Sequence, residues 1–272
     1  MPPTLTRHAT TQGPRWALDG RYLPAGFQLS GLLMLPAGEI AARLAEMPRA
    51  DAATAPLLAP IEDTQEAWAS GVTYLSSRMA REAESQSSDV YARVYDAARP
   101  ELFFKANGWR VRAPGQPIRV RADSAWNVPE PELVLVLNRD GAIVGYTVGN
   151  DVSSRSIEGE NPLYLPQAKV YDGACAIGPA IRLCDAEALA DLAVGLRIAR
   201  DGDVVFAGAT RTSQIKRPLR ELAGYLFREL AFPEGALLFT GTGVVPGEDF
   251  TLQSGDEVRI DIGGLVLENP VQ

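Results

Sequence analysis

One histidine stands in 272 residues, His8, and it lies in a polar N-terminal segment of a kind that tends to be mobile. Catalysis by a Ser-His-Asp or Cys-His arrangement, or by a His-ligated zinc, therefore has no partner in the body of the chain. Two cysteines, Cys175 and Cys184, make neither a zinc site nor a disulfide scaffold, so a reducing, cytoplasmic setting is expected. Long apolar runs are missing too. No stretch approaches the roughly 18 residues that cross a bilayer, and MPPTLTRHATTQGPRW lacks the apolar centre of a secretion signal. Basic residues are outnumbered, 26 Lys+Arg against 34 Asp+Glu, for a formal charge of −8. That sign argues against nucleic acid and anionic membrane as partners. The composition is otherwise that of a folded globular chain, 46% hydrophobic and 22% charged, which excludes disorder. Carboxylate, lysine, hydroxyl and metal chemistry remain.

The length allows one large domain or a large domain with a small companion. Ile40, Leu44 and Met47 recur at helical spacing between Pro36 and Pro48, and APLLAPIED (55–63) reads as a linker. The expected division is a small N-terminal α/β unit with its linker, residues 1–62, and a larger unit, 63–272. Segment 76–98 is polar with sparse apolar positions and is expected to be helical and partly exposed. Strand patterns then dominate. ELVLVLN (132–138) and AIVGYTVG (142–149) flank the turn signal Arg139-Asp140-Gly141, and DLAVGLRIA (191–199) and VVFAG (204–208) flank Asp201-Gly202-Asp203. PLRELAGYLFREL (218–230) places Leu219, Leu222, Leu226 and Leu230 on one helical stripe. GALLFTGTG (235–243), EVRIDI and LVLENPV complete an α+β chain with a rolled or sandwiched β core.

Glu130 and Glu132, two apart at the mouth of a strand, share one face. A two-residue turn at Arg139-Asp140 would set 132 opposite 147 and 130 opposite 149, and Asp151 would land on that same face just beyond Glu130. A one-residue bulge at Gly141 would destroy that parity. Three carboxylates so close repel unless a cation neutralises them. An all-oxygen set suits Mg²⁺, with Mn²⁺ and Ca²⁺ as alternatives, and leaves coordination positions open for a substrate's carboxylate and keto oxygen. The plainer reading is a solvated acidic strand end.

Lys169 follows in QAKVYDG, beyond a stretch (150–171) with few apolar positions; long irregular segments are more often functional than idle. The GTG at 241–243 lacks the third glycine and the βαβ context of a dinucleotide fingerprint, and reads as a tight loop presenting Thr240, Thr242 and backbone N–H groups. Glu101 and Lys105 in RPELFFKANG read as an ordinary exposed pair around buried Phe103 and Phe104. Cys175, within apolar GACAIGP, reads as a packing residue.

At these residues the chain resembles the fumarylacetoacetate hydrolase superfamily. The matching stretches are GVTY (71–74), PEPELVLVL (129–137), GYTVGNDVSSRSIE (145–158), QAKVYDGACAIGP (167–179), LLFTGTGVVP (237–246) and SGDEVRIDIGGLVLENPV (254–271). The resemblance implies a mixed β-sandwich roll, Mg²⁺ held by Glu130, Glu132 and Asp151, and functional roles for Lys169 and Thr242. It further implies a homodimer or homotetramer. Members that hydrolyse C–C bonds carry a His and a Glu after the first core strand; here those positions are Ser77 and Ala80. RPELFFKA and SRSIEGENPLYLPQAK resemble instead the branch that dehydrates 2-keto-3-deoxy sugar acids, which adds Glu101 to the active site. That branch carries Asp where this chain has Ser156. The expectation is a metal-dependent dehydratase that converts 2-keto-3-deoxy-D-arabinonate/xylonate to 2,5-dioxopentanoate. Lys169 and Glu101 would serve as acid and base, and Thr242, Arg78, Arg155 and Phe104 would contact this small 2-keto acid. Three rivals are open: a C–C hydrolase of acylpyruvates or fumarylacetoacetate-like diketo acids, a keto–enol isomerase, and a non-catalytic metal- or carboxylate-binding domain.

Overall fold

The computed structural model describes residues 2–77, 79 and 93–272. Its strands are β1 Thr4–Thr10, β2 Gly13–Leu18, β3 Arg21–Tyr22, β4 Leu57–Leu58, β5 Glu66–Gly71, β6 Glu101–Asn107, β7 Asn127–Val128 and β8 Pro131–Leu137. They continue as β9 Ile143–Asp151, β10 Ser153–Ser154, β11 Cys175–Leu183, β12 Ala193–Arg200, β13 Asp203–Arg211, β14 Ala236–Phe239, β15 Glu257–Ile262 and β16 Leu265–Pro270. Ten strands form one sheet in the order β3-β2-β1-β11-β9-β8-β14-β5-β6, with β4 attached to β1. A second sheet runs β13-β12-β15-β16, and β7 pairs with β10. β14 and β5 are parallel within the otherwise antiparallel large sheet. The fold is α+β.

β8 reads PELVLVL, apolar nearly throughout, because both faces of the large sheet are covered. Leu133, Leu135 and Leu137 face the four-stranded sheet and meet Leu196, Ile198, Val258 and Ile260, together with Leu222 and Leu226 of the helix Leu219–Leu226. On the opposite face, Val136 packs with Val144 and Ile181 beneath Leu33, Ile40 and Leu44 of the helices Leu29–Leu33 and Ala37–Glu46. Val134 on that face joins Ile177, Phe239 and Val111. Each fully buried aliphatic chain of this kind contributes about 1.5–3 kcal/mol. Period two then carries Glu132 and Glu130 onto the Val134 face, at the open end of the strand.

The β8–β9 hairpin differs from the expected register in an instructive way. Its turn has three residues, Arg139-Asp140-Gly141, closed by Asn138 N donating to Ala142 O (3.0 Å), with Gly141 at φ +74°. A bulge between Val136 and Leu137 adds a second extra residue, Val144. Two one-residue shifts cancel in parity. Glu132 therefore opposes Gly149 rather than Thr147, and Asp151 N donates to Glu130 O at 3.0 Å. The convergence of the three carboxylates survives. The other hairpin closes as expected on Asp201-Gly202, both at positive φ, with Arg200 opposite Asp203.

Other expectations need correction. His8 is not in a mobile tail: it lies on β1, is 6% exposed, and its ring meets Ala55 O at 2.7 Å and Thr6 Oγ1 at 2.8 Å. The 55–63 stretch is tied down at both ends. β4 pairs with β1, and the Glu62 carboxylate accepts from Ser30 N (3.0 Å) and Trp16 Nε1 (3.1 Å). β1 also pairs with β11, so the N-terminal strands extend the large sheet. The C-terminal helix stops at Leu226, leaving Leu230 exposed, because Phe227 packs on Phe232 (centroids 4.9 Å apart) and turns the chain toward β14. Most of segment 76–98 lies outside the described residues; residues 93–96 are helical. Segment 150–171 is not irregular: it holds β10, the helices Arg155–Glu160 and Leu165–Lys169, and a 3₁₀ turn between them.

Candidate active site

Glu130, Glu132 and Asp151 each offer a carboxylate oxygen, these oxygens lie within 4.8 Å of one another, and all three residues are buried. One oxygen of each carboxylate meets a fixed polar group, by a hydrogen bond at Glu132 and by ion pairs at Glu130 and Asp151. Glu132 Oε2 accepts from Gly241 N at 2.6 Å, Glu130 Oε1 meets Arg155 Nη2 at 3.0 Å, and Asp151 Oδ1 contacts Lys105 Nζ. Gly241 can donate there because β14 runs antiparallel beside β8 and carries the GTG loop to Glu132. Gly241 has φ +90°, and a Cβ there would collide with Thr73 Oγ1.

The second oxygens of two of these carboxylates converge on Lys169. Its Nζ lies 2.9 Å from Glu130 Oε2 and 3.1 Å from Asp151 Oδ2, and donates to Ser153 Oγ at 2.6 Å. Lys169 ends the helix Leu165–Lys169 and is 2% exposed. Three acceptors around one nitrogen are what an ammonium requires. Burial, reinforced by the neighbouring charges of Asp151 and Glu130, raises the Glu132 carboxyl well above the usual range; Lys169 and the Gly241 N–H oppose this in part. Burial also pushes the Cys175 thiol up to about 12, which agrees with a packing role. The donor set is all oxygen and buried, and burial with two neighbouring carboxylates disfavours a charge on Glu132, which suits a hard divalent ion.

The cavity beside this cluster is lined by Glu101, Phe103, Arg155, Glu158 and Thr242, among others. Glu101 stands opposite Gly71 on β5, and its carboxylate fills the space a Cβ at Gly71 would need. Thr242 is buried, with Oγ1 donating to Val244 O at 3.1 Å. Arg155 is at the site, but its charge is engaged by Glu130. Phe104 is not at the site: alternation along β6 turns it to the other face, edge-on to Trp68 with centroids 5.9 Å apart. Phe103 takes that place, with its ring centroid 5.6 Å from Lys169 Nζ. Arg78 and Ala80 lie outside the described residues. Ser77 faces the cavity, and its hydroxyl is tied to Tyr74 O at 2.8 Å.

Sequence reasoning missed the role of Lys105. It is not exposed but buried with 0% side-chain exposure, and it donates to Lys169 O (2.6 Å) and Val152 O (3.2 Å). The signal was period two along β6, which puts Glu101, Phe103 and Lys105 on one face.

Residues 67–272 match the model of the fumarylacetoacetate (FAA) hydrolase C-terminal family. The chain belongs to the fumarylacetoacetate hydrolase family. Within that family it is 56% identical over 211 residues to a probable 2-keto-3-deoxyxylonate dehydratase of Haloferax volcanii, covering 77% of this chain and 73% of that one. It is 44% identical over 219 residues to a 2-dehydro-3-deoxy-D-arabinonate dehydratase of Saccharolobus solfataricus, covering 77% and 72%. Among solved structures it superposes on 2-keto-3-deoxy-D-arabinonate dehydratase complexed with magnesium and 2,5-dioxopentanoate. The TM-score there is 0.81 at 34% identity, over 99% of this chain and 98% of that one. Among the described residues no helix is long and apolar enough to cross a membrane.

Proposed function

We propose that this chain is a divalent-metal-dependent hydro-lyase that converts 2-keto-3-deoxy-D-arabinonate/xylonate to 2,5-dioxopentanoate and water. The observation that carries the reading is the buried three-carboxylate cluster facing Lys169 and Glu101 in a site without histidine. The two relatives above 40% identity, both described as dehydratases of this sugar acid, support it. Glu130, Glu132 and Asp151 would hold the ion, which fits Mg²⁺. When bound, such an ion chelates a 2-keto acid through its carboxylate and keto oxygens and acidifies the C3 hydrogens.

Loss of water needs a base at C3 and an acid at the C4 hydroxyl. Glu101 supplies the base: its carboxylate lines the same cavity as the three ion ligands. Lys169, surrounded by acceptors, supplies the acid and donates a proton to the departing hydroxyl. The C3–H electrons form the C3–C4 double bond as the C4–O bond breaks. The C3–C4 double bond then shifts to C4–C5 as C5 gives up a proton and C3 takes one, and the resulting C5 enol passes its hydroxyl proton to C4 to give the aldehyde of 2,5-dioxopentanoate. Phe103 closes one wall against water, Thr242 positions a substrate oxygen, and Arg155, paired with Glu130, holds that carboxylate in place. All these groups belong to residues 63–272, and we propose residues 1–62 as a small N-terminal unit whose strands extend the large sheet. We further place this enzyme in the cytoplasm as a homodimer or homotetramer, which light scattering checks.

The C–C hydrolase reading lacks the histidine that would activate water, since Ser77 holds its place and the Ser77 hydroxyl is bonded to Tyr74 O. Product analysis decides between them. The purified chain with Mg²⁺ and 2-keto-3-deoxy-D-arabinonate is expected to yield a compound oxidised by a semialdehyde dehydrogenase. Release of a carboxylic acid from an acylpyruvate, with no turnover of the sugar acid, would overturn the proposal.

A further inference from the structure

Lys105 has a completely accounted environment. Its side chain is 0% exposed and does not line the cavity, so it reaches neither bulk solvent nor the cavity wall. Three oxygens surround its ammonium: the carbonyls of Val152 and Lys169 accept hydrogen bonds, and Asp151 Oδ1 makes an ion pair. A buried cation is costly, and an apolar side chain of similar volume often serves stability as well or better. Stability alone therefore does not explain a lysine here.

What the ammonium does is geometric. Asp151 ends β9, whereas Lys169 ends a separate helix, eighteen residues later in the chain. Lys105, on β6, binds both segments at once. It fixes one oxygen of Asp151, so that the other faces Glu130 and Lys169, and it holds the main chain from which the Lys169 side chain departs. Asp151 keeps Lys169 as a partner if Lys105 loses its charge, so the fold has a means to survive the change.

We propose that Lys105 is a positioning residue that sets the geometry of the Asp151 carboxylate and of Lys169 together, and so controls both divalent-ion affinity and the proton-transfer step. This rests on the dehydratase reading for its kinetic arm only. The test compares wild type with Lys105→Met by three measurements: thermal melting, Mn²⁺ titration followed by electron paramagnetic resonance, and steady-state kinetics at saturating Mg²⁺. The expected result is a folded variant whose Mn²⁺ dissociation constant shifts at least tenfold and whose kcat falls at least thirtyfold, with KM within threefold. A purely structural lysine would lower the melting point and leave both constants of the folded protein within threefold of wild type, and that result would overturn the proposal. If Lys105→Met does not fold, Lys105→Arg keeps the charge but not the three-point ammonium. Its kcat is then expected to fall at least tenfold, and an unchanged kcat and Mn²⁺ affinity refute the role. If wild type shows no turnover at all, the dehydratase reading fails separately and the Mn²⁺ arm alone decides on Lys105.

Discussion

Asp151→Asn removes a charge from a carboxylate paired with two buried lysines while keeping its shape. In the folded protein Asp151 is 1% exposed and lies between two buried ammonium groups, Lys105 on Oδ1 and Lys169 on Oδ2 at 3.1 Å. An amide cannot neutralise either lysine. Removing one partner of a buried pair costs about 3–5 kcal/mol, because the other charge stays buried without compensation. Two cations lose their partner here, though Lys169 retains Glu130 at 2.9 Å, so the expected loss is about 4 kcal/mol. For a chain of this size each kcal/mol lowers the melting temperature by about 2–4 °C, which gives a drop of about 8–16 °C. Urea unfolding without added metal, with the slope checked for constancy, measures the loss directly. Asp191→Asn is the control: its partner Arg211 is half exposed, and solvent screening leaves such a pair little to contribute. A loss below about 1 kcal/mol for Asp151→Asn, or equal losses for the two variants, would refute the view that this cluster is a buried, strongly coupled network.

Burial and like charges raise the Glu132 carboxyl, so the folded protein binds that proton more tightly than the unfolded chain does. Its stabilising contribution is present below the ordinary glutamate range and is lost as pH rises through the raised folded value. Metal-free stability is thus expected to decline over that window, and Mg²⁺ is expected to remove the decline; a melting temperature that climbs steadily over the same window without metal contradicts this. Gly149→Ala places a Cβ 2.5 Å from Val134 Cγ2 and closer still to the Phe239 ring, beside Glu132. It is expected to cost about 1–3 kcal/mol in urea unfolding through overpacking. Glu101→Gln and Lys169→Met are each expected to lower kcat by about 10²–10⁴, and a variant of either residue with full turnover would remove that residue from the chemistry. Phe103→Leu is expected to raise KM severalfold, whereas Phe104→Leu, which alters only the Trp68 contact, leaves it unchanged.

Sequence periodicity alone brought Glu130, Glu132 and Asp151 to one face, and the structure places them there through a different register. The expected two-residue turn was wrong, but a three-residue turn and a bulge at Val144 together restored the parity. Turn length and bulges depend on side-chain bonds such as those of Asn138, which donates to Leu35 O from outside the hairpin, and local patterns do not encode such partners. Lys105 was illegible for a related reason. A lysine near a glutamate reads as surface by composition, and only the approach of β9 and a later helix explains its burial. Phe103 and Phe104 are adjacent and chemically alike, so their assignment turns on strand phase. Likewise the polarity of residues 150–171 reflects a segment built around the carboxylates rather than a loose loop.

Turnover of 2-keto-3-deoxy-D-arabinonate, with and without EDTA, decides whether this chain is a metal-dependent dehydratase, with 2,5-dioxopentanoate as the product read. Turnover is expected to be abolished by chelation, restored by added Mg²⁺ in wild type, and not restored in Glu132→Gln. Turnover that persists after complete metal removal, or equal restoration in Glu132→Gln, would contradict that reading.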